Sequence, residues 1–309
     1  MPEDKKAIRI SLVICTYNRD TYLPDALESV KNQSFDKNHF ELIIVDNHST
    51  DNTASILKRF IYQNPLLNIK YCFEEQKGLS FARNRGVAEA NGSIITYIDD
   101  DVILSPSFLH DIATFFDTHR NAVGVGGKVI PKYENDQEPE WMNKYLNGFV
   151  GKVDYGNNVM QYNDRMKYPA GCNMTYQKNI LLKAGGFNTE LTFRSDDKYI
   201  FYQVKKISDQ IYYVPNAWLY HNIDAHRLTN ASFKKLFLKT GNEEKRRVSS
   251  EKGTMGLIKK LIEFVFKFCA SIGLFVMFSI KGQSIKGKYV VMSQWYTLKG
   301  FLQKEVFVR

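Results

Sequence analysis

Three aspartates stand side by side at Asp99-Asp100-Asp101, directly after the apolar run Ser93–Ile98. Carboxylates this close repel one another, and the repulsion calls for a compensating cation. Mg²⁺ and Mn²⁺ take oxygen ligands, and Mg²⁺ is typically held by one or two carboxylates together with substrate phosphates. Asp99 and Asp101, two positions apart on a chain leaving a strand, can present two oxygens to one side. That makes the triplet a candidate site for Mn²⁺ or Mg²⁺; a solvated acidic turn capping the next helix is the plainer alternative. His221, after another strand-like run, offers a nitrogen donor that would favour Mn²⁺ somewhat over Mg²⁺. A structural histidine at a strand end is the other reading of that residue. Further carboxylates stand at Asp46 and at Asp196-Asp197.

The elements that must position these groups alternate strand and helix. Ile8–Tyr17 is an apolar run of strand length. Leu23, Ala26, Leu27 and Val30 follow at i, i+3, i+4, i+7, one face of a helix. Phe40–Val45 predicts a second strand ending at Asp46, and Ile56, Leu57, Phe60 and Ile61 the next helical face. Ile69–Phe73 is a third strand, Leu79–Ala90 a helix closed by Asn91-Gly92, and Ser93–Ile98 a fourth strand. This order predicts an α/β fold, a mostly parallel sheet with helices on both faces. Ligands of such sheets bind beyond the carboxyl ends of the strands, so Asp46 and Asp99–Asp101 should face one crevice. Residues 130–167 break the pattern and read as a long polar and aromatic loop. Order returns with Tyr168–Tyr176, a Gly-Gly turn at 185–186, a helix over Asp197–Lys206, and short strands at Ile211–Val214 and Ala217–His221.

The 309 residues, 44% hydrophobic and 24% charged, describe a folded globular chain. The net charge of +9 is placed unevenly: residues 1–231 hold 26 Lys+Arg and 28 Asp+Glu, residues 232–309 hold 16 and 5. The boundary near 231 therefore separates a near-neutral α/β domain (1–231) from a basic, partly amphipathic helical extension (232–309). Cys15, Cys72, Cys172 and Cys269 are too far apart in sequence for a zinc knuckle and read as small buried hydrophobes in a reducing compartment. No apolar h-region follows Met1-Pro2-Glu3-Asp4, so no secretory signal is expected.

Six stretches, taken in order, resemble family 2 glycosyltransferases of the GT-A fold, a Rossmann-like arrangement. They are Val13-Ile14-Cys15-Thr16-Tyr17-Asn18-Arg19, Ile43–Asp51, Gly78–Gly86 with Arg83 inside, Ile98–Val102, Gly185-Gly186-Phe187 with Ser195-Asp196-Asp197, and His221. The resemblance covers roughly residues 8–247. It implies that Thr16 and Asp46 contact the nucleotide base and ribose, that Arg83 lies near the nucleotide diphosphate, and that Asp99 and Asp100 face the donor. It implies Asp101 as the direct metal ligand, with Asp99 and His221 beside it, and Asp197 as catalytic base. The family pattern at the last of these is Gly-Glu-Asp; Ser195 and Asp196 depart from it, which leaves Asp196 as a competitor for the base or a contact of the acceptor.

The chemistry agrees with this assignment. Transfer from a sugar nucleotide needs a stabilised diphosphate leaving group, for which a divalent cation supplies charge. It also needs a carboxylate within reach of the acceptor hydroxyl. One base, with the leaving group on the opposite face, gives direct displacement with inversion. The expected activity is an inverting, metal-dependent hexosyl- or hexosaminyltransferase acting in polysaccharide synthesis at the cell envelope. Its donor would be UDP-linked and its acceptor a surface glycan or lipid-linked hydroxyl. Trp141 with its neighbouring tyrosines is a candidate acceptor platform, or else a satellite core under the loop.

Two rivals are weaker. A sugar nucleotidylyltransferase wants a Gly-rich phosphate loop early in the chain, and Thr16–Asp20 has no Gly. A non-catalytic membrane-associated scaffold would not need carboxylates at the base and metal positions. Gly124-Val125-Gly126-Gly127 is followed by Val129-Ile130-Pro131, wrong for a dinucleotide-binding helix start. No nucleic-acid-binding signature accompanies the basic tail. Leu257–Ile280 is strongly apolar, but its longest uncharged run, Phe268–Ile280, is too short to span a bilayer, which takes about 20 residues. With its lysines it fits peripheral association with an anionic membrane surface, on the cytoplasmic face. A helical appendage packed on protein is the alternative.

Overall fold

The run Ile-Ser-Leu-Val-Ile-Cys-Thr is apolar on both faces and forms β1 (Ile10–Thr16), a strand buried almost throughout. Such a run suits the interior of a parallel sheet, and β1 pairs in parallel with β2 (Phe40–Asp46) and β4 (Ile94–Asp99). β3 (Ile69–Phe73) adds to β2, also in parallel. Between these strands run α1 (Leu23–Lys31), α2 (Thr53–Gln63) and α3 (Leu79–Glu89). The register decides where the chemistry lies. Thr16 is the partner of Asp46, and Cys15 the partner of Asp99, so the three strands end level with one another, at one rim. The structure, a computed structural model, describes residues 7–164, 166–191 and 195–303.

After β4 the chain makes β5 (Val102–Leu104), α4 (Phe108–Thr118), β6 (Gly124–Tyr133), β7 (Met160–Gln161), β8 (Met174–Gln177), α5 (Lys178–Lys183), α6 (Asp196–Ile207) and β9 (Ile211–Ile223). The nine strands form one mixed α/β sheet in the order β3-β2-β1-β4-β8-β6-β9-β5, with β7 on β9. β8 pairs antiparallel with β4 and β6, and β5 antiparallel with β9. The two short closing strands expected at 211–214 and 217–221 are one strand. Pro215 sits between the stretch paired with β7 and the stretch paired with β5, so its missing N–H interrupts neither ladder.

The glycines at 124–127 serve this sheet rather than a nucleotide loop. A Cβ on Gly127 would stand 1.7 Å from the Ala217 carbonyl oxygen and 2.4 Å from Asn173 Nδ2. Gly127→Ala is therefore expected to destabilise the fold by roughly 1–3 kcal/mol or more, the usual cost of overpacking. A thermal melt checks this, and an unchanged midpoint would contradict the close approach.

The described residues divide into two compact units. The first contains residues 7–131, 151–191 and 196–222 and holds the sheet. The second contains 132–150, 195 and 223–303. Its helices are α7 (Asn230–Ile280) and α8 (Ser284–Leu302). α7 is two helical segments that fold back at Gly253, whose φ of 57° lies in the left-handed region that glycine adopts freely. Lys260 closes the fold-back by pairing with Glu244 at 3.1 Å. α8 lies against both segments: Gly300 opposes the Leu238 carbonyl, and Gly287 opposes Phe275 and Phe278. The long C-terminal helical region expected from the sequence is thus present.

Two expectations about this region change. Cys269 is exposed, and Cys15 is only partly covered, whereas Cys72 and Cys172 are buried. Spacing and neighbouring apolar residues do not reveal which helix face is packed. The second segment of α7 is also long and apolar enough, by length and composition, to cross a membrane. It contains an 18-residue stretch of mean hydropathy 2.0, of which 11% is buried. Counting uncharged runs missed this because Glu263 ion-pairs with both Lys260 and Lys267, which softens the interruption those charges make.

Candidate functional site

The rim begins at Thr16 and Asp46. Both are buried. Asp46 Oδ1 accepts the Ser49 N–H at 2.9 Å and Oδ2 accepts the Tyr71 hydroxyl at 3.0 Å. Burial and this bond push the Tyr71 hydroxyl up to about 12. Asn47 accepts from the Gly78 N–H and donates to the Glu74 and Gln76 carbonyls, so the loop after β2 is tied to the loop that opens α3. The Thr16 hydroxyl sits beside Asp100 without an aligned hydrogen bond.

The acidic triplet lies at the turn between β4 and β5. Pairing of Val102 with His221 in the β5–β9 ladder, and the Asn222 N–H bond to the Asp101 carbonyl at 2.9 Å, fix β9 against this turn. His221 Nε2 lies 3.4 Å from Asp101 Oδ1 as a result. Asp100 is pushed up to about 7, first by burial and then by the charge of Asp101, with Arg19 and Thr16 opposing. Asp99 keeps part of its surface open but sits deep in the rim. That desolvation raises its pKa, Arg83 opposes, and Asp101 adds to the rise.

Two arginines supply part of the positive charge the triplet requires. Arg19 reaches Asp100 at 3.6 Å and Asp101 at 3.3 Å. It stands at the end of the Val13–Arg19 stretch, where pattern alone gives no distance to the triplet. Arg83, expected near the nucleotide, is buried, 3% exposed, where it pairs with Asp196 and reaches Asp99 at 3.5 Å and the Gly171 carbonyl at 3.2 Å. Burial opposes the charge on this guanidinium, and Asp196 and Asp99 more than offset it, so its pKa lies above the ordinary value. Arg83 gets there because α3 packs hard on β1: a Cβ on Gly86 would meet Val13 Cγ1 at 2.5 Å.

Asp196 and Asp197 open α6, where carboxylates are favoured by the helix dipole. They face different ways. Asp196 is buried and its carboxylate is engaged by Arg83. Asp197 is partly exposed. Its Oδ1 accepts the Lys198 N–H at 2.7 Å and its Oδ2 the Gly171 N–H at 3.2 Å. One residue, Gly171, thus joins Asp197 to Arg83, through its N–H on one side and its carbonyl on the other. Ser195 before them has φ 72°. Glycine takes that conformation without strain, which gives a physical reason for the glycine that the family pattern carries there.

Trp141 belongs to the second unit and does not offer a face to a sugar. Its indole is 8% exposed and stacked on Tyr289, 4.5 Å between centroids at 5°, with Phe149 and Phe233 at its edges. The satellite-core reading is the one the packing supports.

Among the described residues, no three His, Cys, Asp or Glu side chains lie close enough together to hold a metal ion. Asp101 and His221 do lie together, as an oxygen and a nitrogen donor. Asp99 and Asp100, both raised by desolvation and by Asp101, are under-compensated by the two arginines. A divalent cation that takes its remaining ligands from substrate phosphates fits this donor set.

Residues 11–184 match the sequence profile of the family described as Glycosyl transferase family 2. The chain belongs to this family. Among its relatives in family 2 is the glucosyl-dolichyl phosphate glucuronosyltransferase of Haloferax volcanii. It is 25% identical over 195 residues, which are 62% of this chain and 60% of that protein. Another is the poly(ribitol-phosphate) beta-N-acetylglucosaminyltransferase TarS of Staphylococcus aureus, 31% identical over 132 residues, 40% of this chain and 23% of TarS. This chain therefore covers less than two thirds of the length of either relative. The fold is that of solved GT-A enzymes. A mannosyltransferase from Pyrobaculum calidifontis, solved with GDP-Man and Mn²⁺, superimposes with a TM-score of 0.63 at 13% identity, covering 94% of this chain and 87% of that one. Residues 1–349 of S. aureus TarS with UDP-GlcNAc give 0.59 at 18% identity, over 95% and 89%.

Proposed function

We propose that this family 2 chain is an inverting, metal-dependent hexosyl- or hexosaminyltransferase of cell-envelope polysaccharide synthesis. It moves a sugar from a uridine diphosphate donor to a hydroxyl of a surface-glycan or lipid-linked acceptor, on the cytoplasmic side of a membrane. One observation carries the reading: a level rim of strand ends sets Thr16 and Asp46, the Asp99–Asp101 turn with His221, and the carboxylate of Asp197 in one unit. The names of the two relatives, a glucosyl-dolichyl phosphate glucuronosyltransferase and a poly(ribitol-phosphate) beta-N-acetylglucosaminyltransferase, support the acceptor class.

In this reading Asp46, fixed by Ser49 and Tyr71, receives the base of the donor, with Thr16 beside it. Asp101 and His221 would hold Mn²⁺ or Mg²⁺, with Asp99 adjoining; when bound, the ion supplies positive charge to the leaving diphosphate. Arg19 keeps Asp100 and Asp101 in place when the donor is absent. Arg83 acts from beneath, holding Asp196 and the Gly171 carbonyl, so that the N–H of the same residue keeps Asp197 aimed outward. Asp197 takes the proton of the acceptor hydroxyl as the new bond forms on the face opposite the leaving group.

Released nucleotide is the direct test. Purified protein with a panel of sugar nucleotides is expected to release UDP from one donor with Mn²⁺ or Mg²⁺ and none with EDTA. Asp101→Asn should lower that release at least tenfold and displace the metal titration to higher concentration. Absence of release together with absence of calorimetric donor binding would overturn the reading.

A further inference from the structure

The second segment of α7 carries a face that nothing in the second unit covers. Ile262, Val265, Phe266, Ile272, Val276 and Ile280 are all exposed, Phe266 at 72% and Ile280 at 83%. Only the opposite side of this segment is packed. Phe264 meets Phe301, Phe268 meets Trp295, and Phe275 meets Gly287 of α8. From Ile262 to Gln303 there are five lysines, Lys267, Lys281, Lys286, Lys288 and Lys299, and one acidic residue, Glu263, which pairs with Lys260 and Lys267. Contiguous apolar surface of this kind marks an interaction site.

We infer that this face inserts into an anionic lipid bilayer and that it does so lying in the plane of the interface. The inference deepens the membrane-surface part of the proposed function and uses none of the active-site residues, so its failure leaves the transfer reaction standing.

Three observations select lipid over a second copy of the chain. A coiled-coil partner would need a narrow apolar seam flanked by charges of both signs. Here Phe266 and Met277, both exposed, lie beside the Ile262, Val265, Ile272, Val276 stripe, so the apolar arc is wide. Two copies would also bring like charges together, since Glu263 is already paired with Lys260 and Lys267 and every other charge from 262 to 303 is a lysine. Lysines around an apolar face place their stems along hydrocarbon and their ammonium groups among anionic headgroups.

The packing selects lying over crossing. Phe264–Ile280 is held along its length by α8, so it cannot enter alone. A crossing hairpin would have to carry Lys281, Lys286 and Lys288 through the hydrocarbon, which is costly.

Cys269 is the exposed thiol among the cysteines, and it lies on this segment. The full chain, labelled there with a polarity-sensitive fluorophore, is mixed with phosphatidylcholine vesicles with and without 30% phosphatidylglycerol, a composition rich enough in anionic lipid to test charge dependence. Labelled Cys269→Ser protein gives the background. Expected are flotation at least tenfold greater with the anionic vesicles, a blue shift of the Cys269 label, and its quenching by lipids brominated near the headgroup end of the acyl chain. Ile272→Glu/Val276→Glu should lose flotation tenfold or more while keeping metal-dependent donor hydrolysis in solution. Three results would overturn the inference. The wild-type label stays in water while vesicles are present; quenching is strongest at the bilayer centre, as for a crossing helix; or the blue shift grows with protein concentration without vesicles, as for a second copy. The wild-type label decides the matter even if the double variant fails to fold.

Discussion

Asp197→Asn is expected to leave sugar-nucleotide affinity unchanged and to lower turnover by about 10²–10⁴-fold, the usual contribution of a positioned general base. The expectation follows from what each carboxylate at the start of α6 touches. Asp196 is enclosed with Arg83, whereas Asp197 keeps an open side and is steadied by two backbone N–H groups, of Lys198 and of Gly171. An amide of the same shape can retain one of these two bonds. Losing the other costs on the order of 1 kcal/mol, so the variant should fold and bind donor through Thr16, Asp46 and the acidic turn. What it cannot do is hold the acceptor proton. Calorimetric titration with the donor and a product assay with acceptor separate the two effects. Turnover within tenfold of the parent would remove Asp197 from the role, and loss of donor binding would show that the substitution had disturbed more than the base.

The parts of this site that the sequence disclosed are those fixed by strand ends. Apolar runs ending in Thr16, Asp46 and Asp99 predict a parallel sheet whose carboxyl edge collects those residues, and the register then places them level. His221 was legible as a donor, but its nearness to Asp101 depends on the pairing of Val102 with His221 across more than a hundred residues, which periodicity does not report. The surroundings of the arginines were hidden for a related reason. A cation beside a phosphate site and a cation buried under it look alike in sequence; what distinguishes them for Arg83 is that Gly86 lets α3 settle onto Val13. Trp141 was ambiguous because an aromatic in a polar loop can face a ligand or a neighbouring helix, and the ring that covers it, Tyr289, lies far along the chain. Ser195 shows the opposite case. The departure from glycine was visible at once, but its meaning, a left-handed backbone at the start of α6, needed the structure.

The other large effect is expected at Arg83. Arg83→Met should destabilise the protein by about 3–5 kcal/mol, the usual result of removing one partner of a buried ion pair. The cause is less the lost attraction than the carboxylate left behind. Asp196 would remain enclosed without a counter-charge, and Asp99 would lose the cation that opposes its rise in pKa. Replacing both members, Arg83→Met with Asp196→Met, removes the uncompensated charge, and apolar side chains of similar volume commonly recover the stability of a broken buried pair. The double variant should therefore unfold near the parent denaturant midpoint. Its turnover should nevertheless stay low, because the Gly171 carbonyl loses its bond from Arg83 and the N–H of the same residue, no longer held, steadies Asp197 less. Denaturant unfolding of the parent, Arg83→Met, Asp196→Met and the double variant gives the coupling energy, and donor titration with the product assay divides binding from turnover. A single variant as stable as the parent would mean that the pair is solvated rather than buried. A double variant with full turnover would confine Arg83 to holding the fold. The combination of recovered stability and unrecovered turnover is the one that a positioning residue produces and a purely structural one does not.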